Sequence, residues 1–246
     1  MNKFISSIEV ALDPFAQKLP PKGSDVRAVI HQWIHAICSK TDTHGTAKKV
    51  DLIKALKEAG LYTSEAAFKK LVYNEINFPP PQTHKFKFID LFAGIGGFRL
   101  ALQEMNGVCV FSSEWDSAAQ KTYLNNYGEL PFGDITPFTS DEVTDEQLDS
   151  LIPDHDILAG GFPCQPFSHA GVSARNAVGK QHGFKCDTQG TLFFDIMRIV
   201  SVKKPKVLFL ENVSNIQRHD GGKTFTVIKA SIEELGYDFK YEIIDS

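Results

Sequence analysis

One cysteine of this sequence lies in a setting that favours chemical reactivity. Cys164 is preceded by Gly160, Gly161 and Pro163 and is followed two residues later by Pro166. The prolines fix backbone angles on both sides of the thiol, and the glycines allow a large ligand to approach closely. We therefore predict a rigid, exposed thiol that acts as a nucleophile. The alternative is a buried, inert cysteine, which is the usual state of a single cysteine in a folded protein.

A glycine-rich segment, residues 90–97, indicates a second chemical site. Its sequence, Asp-Leu-Phe-Ala-Gly-Ile-Gly-Gly, closes a predicted strand and opens a predicted helix, where glycines let a ligand approach the backbone. The spacing Gly-x-Gly-Gly departs from the Gly-x-Gly-x-x-Gly of dinucleotide sites, which weakens the argument for a pyrophosphate ligand. Alone, the segment is equally consistent with a tight turn that binds nothing.

Three further residues extend this second site towards a nucleoside. Glu114 ends the next predicted strand, about 20 residues after the first glycine, where a carboxylate can accept hydrogen bonds from ribose hydroxyls. Trp115 offers a flat face for adenine, and Asp134 can accept from the adenine amino group. Each residue also has an ordinary interpretation, as a solvated acid, a core aromatic and a turn residue respectively. Their occurrence together beside the glycines favours the nucleoside site.

Short apolar strands alternate with helices beyond residue 84, and these elements must position both sites. The predicted strands are residues 86–92, 108–113, 156–159 and 207–210, and the predicted helices are residues 191–200 and 224–235. A further strand is expected to begin beyond Gly236 and to end near Ile243 and Ile244. The alternation predicts an α/β fold with a doubly wound, mostly parallel sheet. Ligands of such sheets bind at the carboxyl ends of the strands.

The first 83 residues follow a different pattern. Apolar residues at helical spacing predict helices over residues 24–40 and 46–59, and a third helix that begins after Ser64. Three consecutive prolines, residues 79–81, end this pattern. We therefore divide the chain into a small N-terminal helical domain, residues 1–83, and a catalytic domain, residues 84–246. For the helical domain, a packing appendage is favoured over a module that binds DNA or a partner.

Composition restricts the class of protein. A chain of 246 residues, 42% of them hydrophobic, can bury a full core. The 4 cysteines form no Cys-x-x-Cys pair, so neither a metal site nor a disulfide framework is indicated. No apolar run approaches the length of a membrane span, and we expect a soluble, cytoplasmic protein. The net charge of −4 provides no general attraction to nucleic acid, so any DNA contact needs a local basic surface or another polypeptide.

Four motifs resemble, in the same order, the signature motifs of the cytosine-5 DNA methyltransferases. They are Asp90 to Gly97, Gly160 to Ser168, Gly190 to Asp195, and Glu211-Asn212-Val213. The resemblance covers residues 85–246 and implies a Rossmann-like, S-adenosylmethionine-dependent methyltransferase fold. It also implies DNA methylation of the kind found in restriction–modification systems. Residues 170–190 are further similar to the enteric branch that methylates the inner cytosine of CC(A/T)GG.

The resemblance implies a covalent mechanism on cytosine. The Cys164 thiolate would add to carbon 6 of the ring, and Glu211 would hydrogen-bond or protonate N3, which requires an acid with a raised pKa in a closed site. Asn212 is expected to brace the loop that carries Cys164. S-adenosylmethionine is the implied methyl donor, and S-adenosylhomocysteine is the product. The implied substrate is double-stranded DNA, from which the target base must be flipped out.

The resemblance also assigns residues to the cofactor and to DNA. The expected cofactor contacts are Asp90, Phe92, Gly94, Ile95, Gly96, Gly97, Glu114, Trp115, Asp134, Ile135, Pro163 and Leu192. Residues 169–185 match the catalytic loop of the family and contain no acidic residue. The expected DNA contacts in and near this loop are Gln165, Ser168, Arg175, Lys180 and Lys185. An ordinary solvated basic loop is the alternative for the three cations.

Similar enzymes carry further motifs that this sequence lacks: a Gln-x-Arg-x-Arg motif, a target-recognition region and a last helix. We therefore expect that the chain is a fragment or that a second polypeptide supplies the target-recognition region, and that the chain alone has little or no activity. Two alternatives stay open, a transfer RNA cytosine-5 methyltransferase and a non-catalytic cofactor-binding subunit. A nicotinamide dehydrogenase fits neither the glycine spacing nor the proline-flanked cysteine.

Overall fold

The computed structural model of the chain describes residues 3–17, 19, 25–164 and 192–244. The chain divides into two compact units. The first comprises Met1–Gly160 and Pro205–Phe209, and the second comprises Gly161–Lys204 and Leu210–Ser246. Among the described residues, no helix is both long enough and apolar enough to cross a membrane.

Four helices lie in the described residues that precede the first strand. They are α1 (Lys3–Ala16), α2 (Val26–Ser39), α3 (Lys49–Glu58) and α4 (Glu65–Tyr73). Helix α2 begins after Asp25, whose side chain accepts a hydrogen bond from the Arg27 amide, and Ser64 caps α4 in a similar way. The three helices predicted here are confirmed, whereas the sequence patterns did not indicate α1. Every residue from Ala28 to Cys38 is buried, so α2 is covered on all sides.

One sheet organises the α/β part of the chain. Its strands in the described ranges are β1 (Phe86–Leu91), β2 (Gly107–Ser113), β3 (Ile157–Gly161) and β4 (Val207–Glu211). The spatial order is β2-β1-β3-β4, and β1 runs parallel to both β2 and β3. The four predicted strands are confirmed to within two residues at each end. The mostly parallel α/β fold, which the alternation of strands and helices predicts, is therefore confirmed.

Four helices of the first unit follow β1 and β2 along the chain. They are α5 (Gly97–Glu104), α6 (Ser117–Tyr127), α7 (Thr136–Thr139) and α8 (Asp145–Leu151). Between α6 and α7, Phe132 forms an isolated parallel bridge with Ser113 and so extends the sheet beyond β2. The Phe132 ring stacks on Phe111 of β2 with a centroid separation of 4.7 Å. A short core segment that is bridged to β2 therefore precedes Asp134.

The N-terminal helices are packed onto the sheet through buried polar contacts. The Gln32 side chain of α2 donates to the carbonyl of Val110 in β2 at 3.1 Å. One ring nitrogen of His31 accepts from the Leu130 amide at 2.9 Å. The predicted boundary near residue 84 coincides with the change from helices to strands, and residues on both sides of it belong to the first compact unit.

In the described part of the second unit, the α-helices are α9 (Leu192–Lys203) and α10 (Lys223–Glu234), which confirm the two helices predicted there. Two short 3-10 helices, Ser214–Gln217 and His219–Gly222, lie between them. The strand predicted beyond Gly236 is wrong, because residues 237–244 have no regular secondary structure. Its alternating aromatic residues instead pack on α10: the Phe225 ring lies 5.7 Å from Phe239 and 5.0 Å from Tyr241. Without a neighbouring strand among the described residues, that apolar alternation cannot produce a ladder.

Candidate cofactor and catalytic sites

The glycine-rich loop has a backbone that few side chains permit. Directly after β1, Phe92 has φ of 55°, and Gly94 and Gly96 have φ of 54° and 94°. This left-handed region strains a residue with a Cβ atom, so glycine is the natural residue at 94 and 96. A Cβ atom built at Gly94 or Gly97 would meet no described atom within 4 Å. The loop therefore leaves room for a ligand to approach its backbone at these two positions.

The side chain of Glu114 is hydrogen-bonded to the backbone of this loop. Its carboxylate is buried, and its two oxygens accept from the Gly94 amide at 2.7 Å and from the Asp116 amide at 2.8 Å. The predicted acid and the predicted glycines therefore meet at the carboxyl ends of β1 and β2. Each carboxylate oxygen has two lone pairs, so both oxygens keep acceptor capacity for a ligand hydroxyl. The sequence did not indicate the contact with Gly94, through which Glu114 also shapes the loop.

Trp115 is the residue after Glu114, and Asp134 lies two residues after Phe132, the bridge partner of Ser113. The Trp115 side chain is 81% exposed, which leaves its indole face available for stacking. Asp134 follows the bridge in which the Glu114 amide donates to the Phe132 carbonyl at 2.8 Å. The exposed Asp134 carboxylate accepts from the amide and the hydroxyl of Thr136 at 3.0 and 2.8 Å. Its present contacts are those of a turn residue, with lone pairs remaining.

The other residues predicted for the cofactor have unequal exposure. Ile95 is a loop residue and is 62% exposed, whereas Ile135, which follows Asp134 in the sequence, is buried. Asp90 is fully buried one residue before the end of β1, so its carboxylate faces the protein interior. Burial raises the pKa of Asp90 to about 8, although the Arg99 cation opposes the shift. Any effect of Asp90 on a cofactor would act through the loop backbone.

A buried ion pair adjoins the loop, and it was not evident from the sequence. Arg99 of α5 donates to the Glu129 carboxylate at 3.0 Å and to the Tyr123 hydroxyl at 3.0 Å. His35 of α2 lies 3.7 Å from the same carboxylate. Burial alone would raise the pKa of Glu129, but Arg99 and His35 hold it below its usual value. No local motif reveals a pair separated by 30 residues.

The catalytic candidates belong to the second unit. Cys164 follows β3 by three residues, and its side chain is partly exposed. The Asn212 side chain donates to the carbonyl of Phe162 at 2.6 Å and accepts from the Val213 amide at 2.9 Å. Asn212 thus ties the segment after β4 to the segment that leads into Cys164. The prediction for Asn212 is that it braces the loop that carries Cys164, and this contact lies two residues before Cys164.

Glu211 is the last residue of β4 and is exposed. Pro163 is also exposed, and Leu192 is the first residue of α9, next to Phe193, whose ring lies 5.6 Å from Phe162. The predicted DNA contacts Gln165, Ser168, Arg175, Lys180 and Lys185 lie outside the described residues. The second unit therefore brings the Asn212 side chain to the Phe162 carbonyl and leaves Glu211 facing solvent.

The loop of the first unit fits a ligand that contains a nucleoside. An open glycine backbone, an anchored carboxylate and an exposed indole occur together at the carboxyl edge of a parallel sheet, where such ligands bind. Together with the α/β sheet, these features are those of a Rossmann-like, nucleoside-binding fold. The family model for "C-5 cytosine-specific DNA methylase" matches residues 86–246. The chain therefore belongs to the C-5 cytosine-specific DNA methylase family, and membership implies the use of S-adenosylmethionine.

Several curated relatives agree with this assignment. The chain is 47% identical over 186 residues to the "DNA-cytosine methyltransferase" of Escherichia coli K12, a match that spans 69% of this chain and 39% of the relative. It is 48% identical over 171 residues to "Type II methyltransferase M.HhaI" of Haemophilus parahaemolyticus, spanning 70% of this chain and 47% of the relative. The chain thus spans less than half the length of these relatives. The solved structure of S. pombe Dnmt2 methyltransferase aligns with a TM-score of 0.41 and 17% identity, covering 59% of this chain and 40% of that one.

Proposed function

We propose that this chain carries the cofactor site and the nucleophile of an enzyme that methylates carbon 5 of cytosine in double-stranded DNA. The observation that carries the proposal is the hydrogen bond from Asn212 to the Phe162 carbonyl, in a chain that belongs to the cytosine-5 methylase family. It restrains the backbone two residues before Cys164. A restrained, partly exposed thiol can approach a base without a large loss of conformational entropy.

Carbon 5 of cytosine is too weak a nucleophile to accept a methyl group directly. In the proposed mechanism, the Cys164 thiolate forms a bond to carbon 6 while Glu211 hydrogen-bonds N3, and electron density moves to carbon 5. Bound S-adenosylmethionine supplies an electrophilic methyl group. After carbon 5 has gained this methyl group, it loses its proton to a base, the carbon–sulfur bond breaks, and the aromatic ring and the thiolate are restored.

The exposed position of Glu211 sets a condition on this mechanism. A hydrogen bond between a carboxyl group and a ring nitrogen is strongest where water does not compete for either partner, and Glu211 is exposed. We infer that bound DNA or further polypeptide covers Glu211 during the reaction. The same cover would exclude water from the cysteine adduct.

For the cofactor, we propose that Gly94, Gly96 and Gly97 present backbone groups, that Glu114 accepts from the ribose hydroxyls, and that Trp115 stacks on adenine. Asp134 would accept from the adenine amino group through the lone pairs that Thr136 leaves unused. The remaining predicted contacts, Phe92, Ile95, Ile135, Pro163 and Leu192, would supply apolar surface, and Asp90 would act from behind the loop. The anchored Glu114 supports this proposal most directly.

DNA must be held by local positive charge, because the chain has a net charge of −4. The predicted phosphate contacts Arg175, Lys180 and Lys185, together with Gln165 and Ser168, remain proposals. The similarity to the CC(A/T)GG branch rests on residues 170–190, all of them outside the described ranges. Relatives from three genera are about equally similar to the chain, with 47%, 48% and 50% identity, so the identities favour no particular target sequence.

We further propose that methyl transfer requires polypeptide beyond residues 1–246, either in the same chain or as a partner that supplies target recognition. Exposed apolar residues support this. Val207 and Phe209 of β4 are 48% and 53% exposed, and Ile243 and Ile244 are 60% and 83% exposed. Large apolar side chains that share a face or a segment commonly mark surfaces covered by other protein.

Trapping with DNA that contains 5-fluorocytosine tests the proposed chemistry. Fluorine at carbon 5 cannot leave as a proton does, so the final elimination is blocked and a covalent protein–DNA adduct should accumulate. The chain, with any completing polypeptide, should form this adduct in the presence of S-adenosylmethionine, and Cys164→Ser should form none. Adduct formation by Cys164→Ser would refute the role of Cys164. Preferential trapping on fluorinated transfer RNA would replace DNA as the substrate, and full activity of the chain alone would refute the need for further polypeptide.

A further inference from the structure

A buried tyrosine contacts the glycine-rich loop from the protein interior. The Tyr127 hydroxyl donates to the Gly96 carbonyl at 2.6 Å, and the same carbonyl accepts from the Leu100 amide at 3.0 Å. The Tyr127 ring occupies the space that a side chain at Gly96 would need, because a Cβ atom there would collide with the ring. The position of the Tyr127 ring therefore depends on the absence of a side chain at Gly96.

The position of Tyr127 is itself determined by packing. It is the last residue of α6, and Gly128 ends this helix in the left-handed conformation. The Arg99 guanidinium lies 4.7 Å from the centroid of the Tyr127 ring, and the Phe78 ring packs on it at 5.9 Å. Because Arg99 is held by its ion pair with Glu129, the tyrosine is confined by groups that are themselves fixed.

The hydrogen bond has a directional consequence for the loop. A peptide unit is planar and trans, so the carbonyl of Gly96 and the amide N–H of Gly97 point in opposite directions. Fixing the carbonyl towards the interior therefore turns the Gly97 N–H away from it. Gly97 is the first residue of α5, where the amide has no acceptor within the helix. An amide in this position is suited to donate a hydrogen bond to a ligand oxygen.

We propose that Tyr127 is a positioning residue for the cofactor: through its hydroxyl it orients the Gly96–Gly97 peptide so that the Gly97 amide faces the bound ligand. This inference rests on the proposed cofactor site. It assigns to Tyr127 a role that neither the family motifs nor the glycine spacing contains. The competing explanation is simple packing, in which only the ring of Tyr127 matters.

Tyr127→Phe separates the two explanations, because it removes the hydroxyl and keeps the ring. Tyr73→Phe is the matched control: it removes another tyrosine hydroxyl, which lies 3.5 Å from the Ser39 hydroxyl and does not involve the loop. Titration calorimetry with S-adenosylhomocysteine should give about three- to tenfold weaker binding for Tyr127→Phe. Tyr73→Phe should bind like the wild type.

Hydrogen–deuterium exchange of residues 93–97 in the ligand-free chain gives a readout independent of binding. The loop amides should exchange faster in Tyr127→Phe than in the wild type, and Tyr73→Phe should match the wild type. Unchanged affinity and unchanged loop exchange in Tyr127→Phe would overturn the inference, as would equal losses of affinity in both variants. If the wild type fails to bind S-adenosylhomocysteine, the proposed cofactor site fails, whereas the exchange result still decides whether Tyr127 orients the loop.

Discussion

The acids at the ends of β2 and β4 lie in contrasting environments. Glu114, in the first unit, is only 8% exposed and has both carboxylate oxygens hydrogen-bonded to backbone amides. Glu211, in the second unit, is exposed. The contrast teaches that the loop proposed for the cofactor is organised by its own unit before any ligand binds. The acid proposed for catalysis still needs a cover that excludes water from it.

The same contrast extends beyond the two acids. In the first unit, Arg99 and Glu129 form a buried ion pair, in which each charge has a partner of opposite sign. In the second unit, Val213, Tyr241 and Ile244 are 57%, 63% and 83% exposed. Substitutions in the first unit should therefore affect stability most, and substitutions at these exposed residues should affect it little. The following expectations test that difference, from the largest effect to the smallest.

Glu129→Gln should be the most damaging of the changes considered, with a loss of about 3–5 kcal/mol in the free energy of unfolding. It keeps the shape of the side chain but leaves the Arg99 cation buried without an anionic partner. Urea unfolding at pH 7 measures the loss. Glu58→Gln is the control, because its pair with Lys54 is 4.0 Å long and well exposed, and it should change stability by less than about 0.5 kcal/mol. Equal losses in the two variants would contradict a special role for the buried pair.

The free energy of unfolding of Asp90→Asn, relative to that of the wild type, should increase as the pH rises. Burial raises the pKa of Asp90 from 3.8 to about 8, so the folded state holds a proton that the unfolded state releases between these values. Wild-type stability attributable to this group is therefore lost as pH rises through that window, and asparagine has no such dependence. The difference between variant and wild type should grow by about 4–5 kcal/mol from pH 4 to pH 8. A difference that is constant over this range would show that Asp90 ionises normally.

His35→Gln should reduce the sensitivity of the protein to acid. Burial lowers the pKa of His35 from 6.5 to about 4, although the Glu129 carboxylate opposes the shift. The unfolded state binds the proton first, so stability is lost as pH falls from 6.5 to 4, by about 2–3 kcal/mol for this group. Denaturant midpoints at pH 7 and pH 4.5 should therefore differ less in the variant than in the wild type. An identical acid response in both proteins would remove His35 from the explanation.

Ile244→Ala should have the smallest effect, below about 0.5 kcal/mol, because the side chain is 83% exposed. Ile232→Ala is the matched change in the same unit, since Ile232 is only 6% exposed, and it should cost about 2–3 kcal/mol. Thermal unfolding of the two variants gives the comparison. A large loss in Ile244→Ala would mean that the exposed segment is already covered in the isolated chain.

Sequence patterns located the elements that depend on local periodicity. All four strands, helices α2 to α4 and the glycine-rich loop lie where apolar spacing and turn residues placed them, because these signals are read within a few neighbouring residues. The strand expected beyond Gly236 failed for the complementary reason. Alternation of aromatic residues indicates one buried face, but a strand also needs a partner, and packing on Phe225 can satisfy the same pattern.

The chemical sites were predictable in their residue types but less so in their contacts. Glu114 was expected to face a ribose, and the structure adds that it anchors the Gly94 amide. The roles of Arg99, Tyr127 and Glu129 were not predictable, because each depends on contacts with residues far away in the sequence. Such pairings are determined by the tertiary arrangement, and no local motif encodes them.

The enclosure of α2 has a consequence for synthesis on the ribosome. The amide that bonds His31 belongs to Leu130, 99 residues later, and the carbonyl that bonds the His44 ring belongs to Leu151, 107 residues later. The helix cannot reach its native surroundings until these residues have emerged from the exit tunnel. Until then its apolar surface lacks these native contacts, and transiently exposed apolar surface favours aggregation of nascent chains.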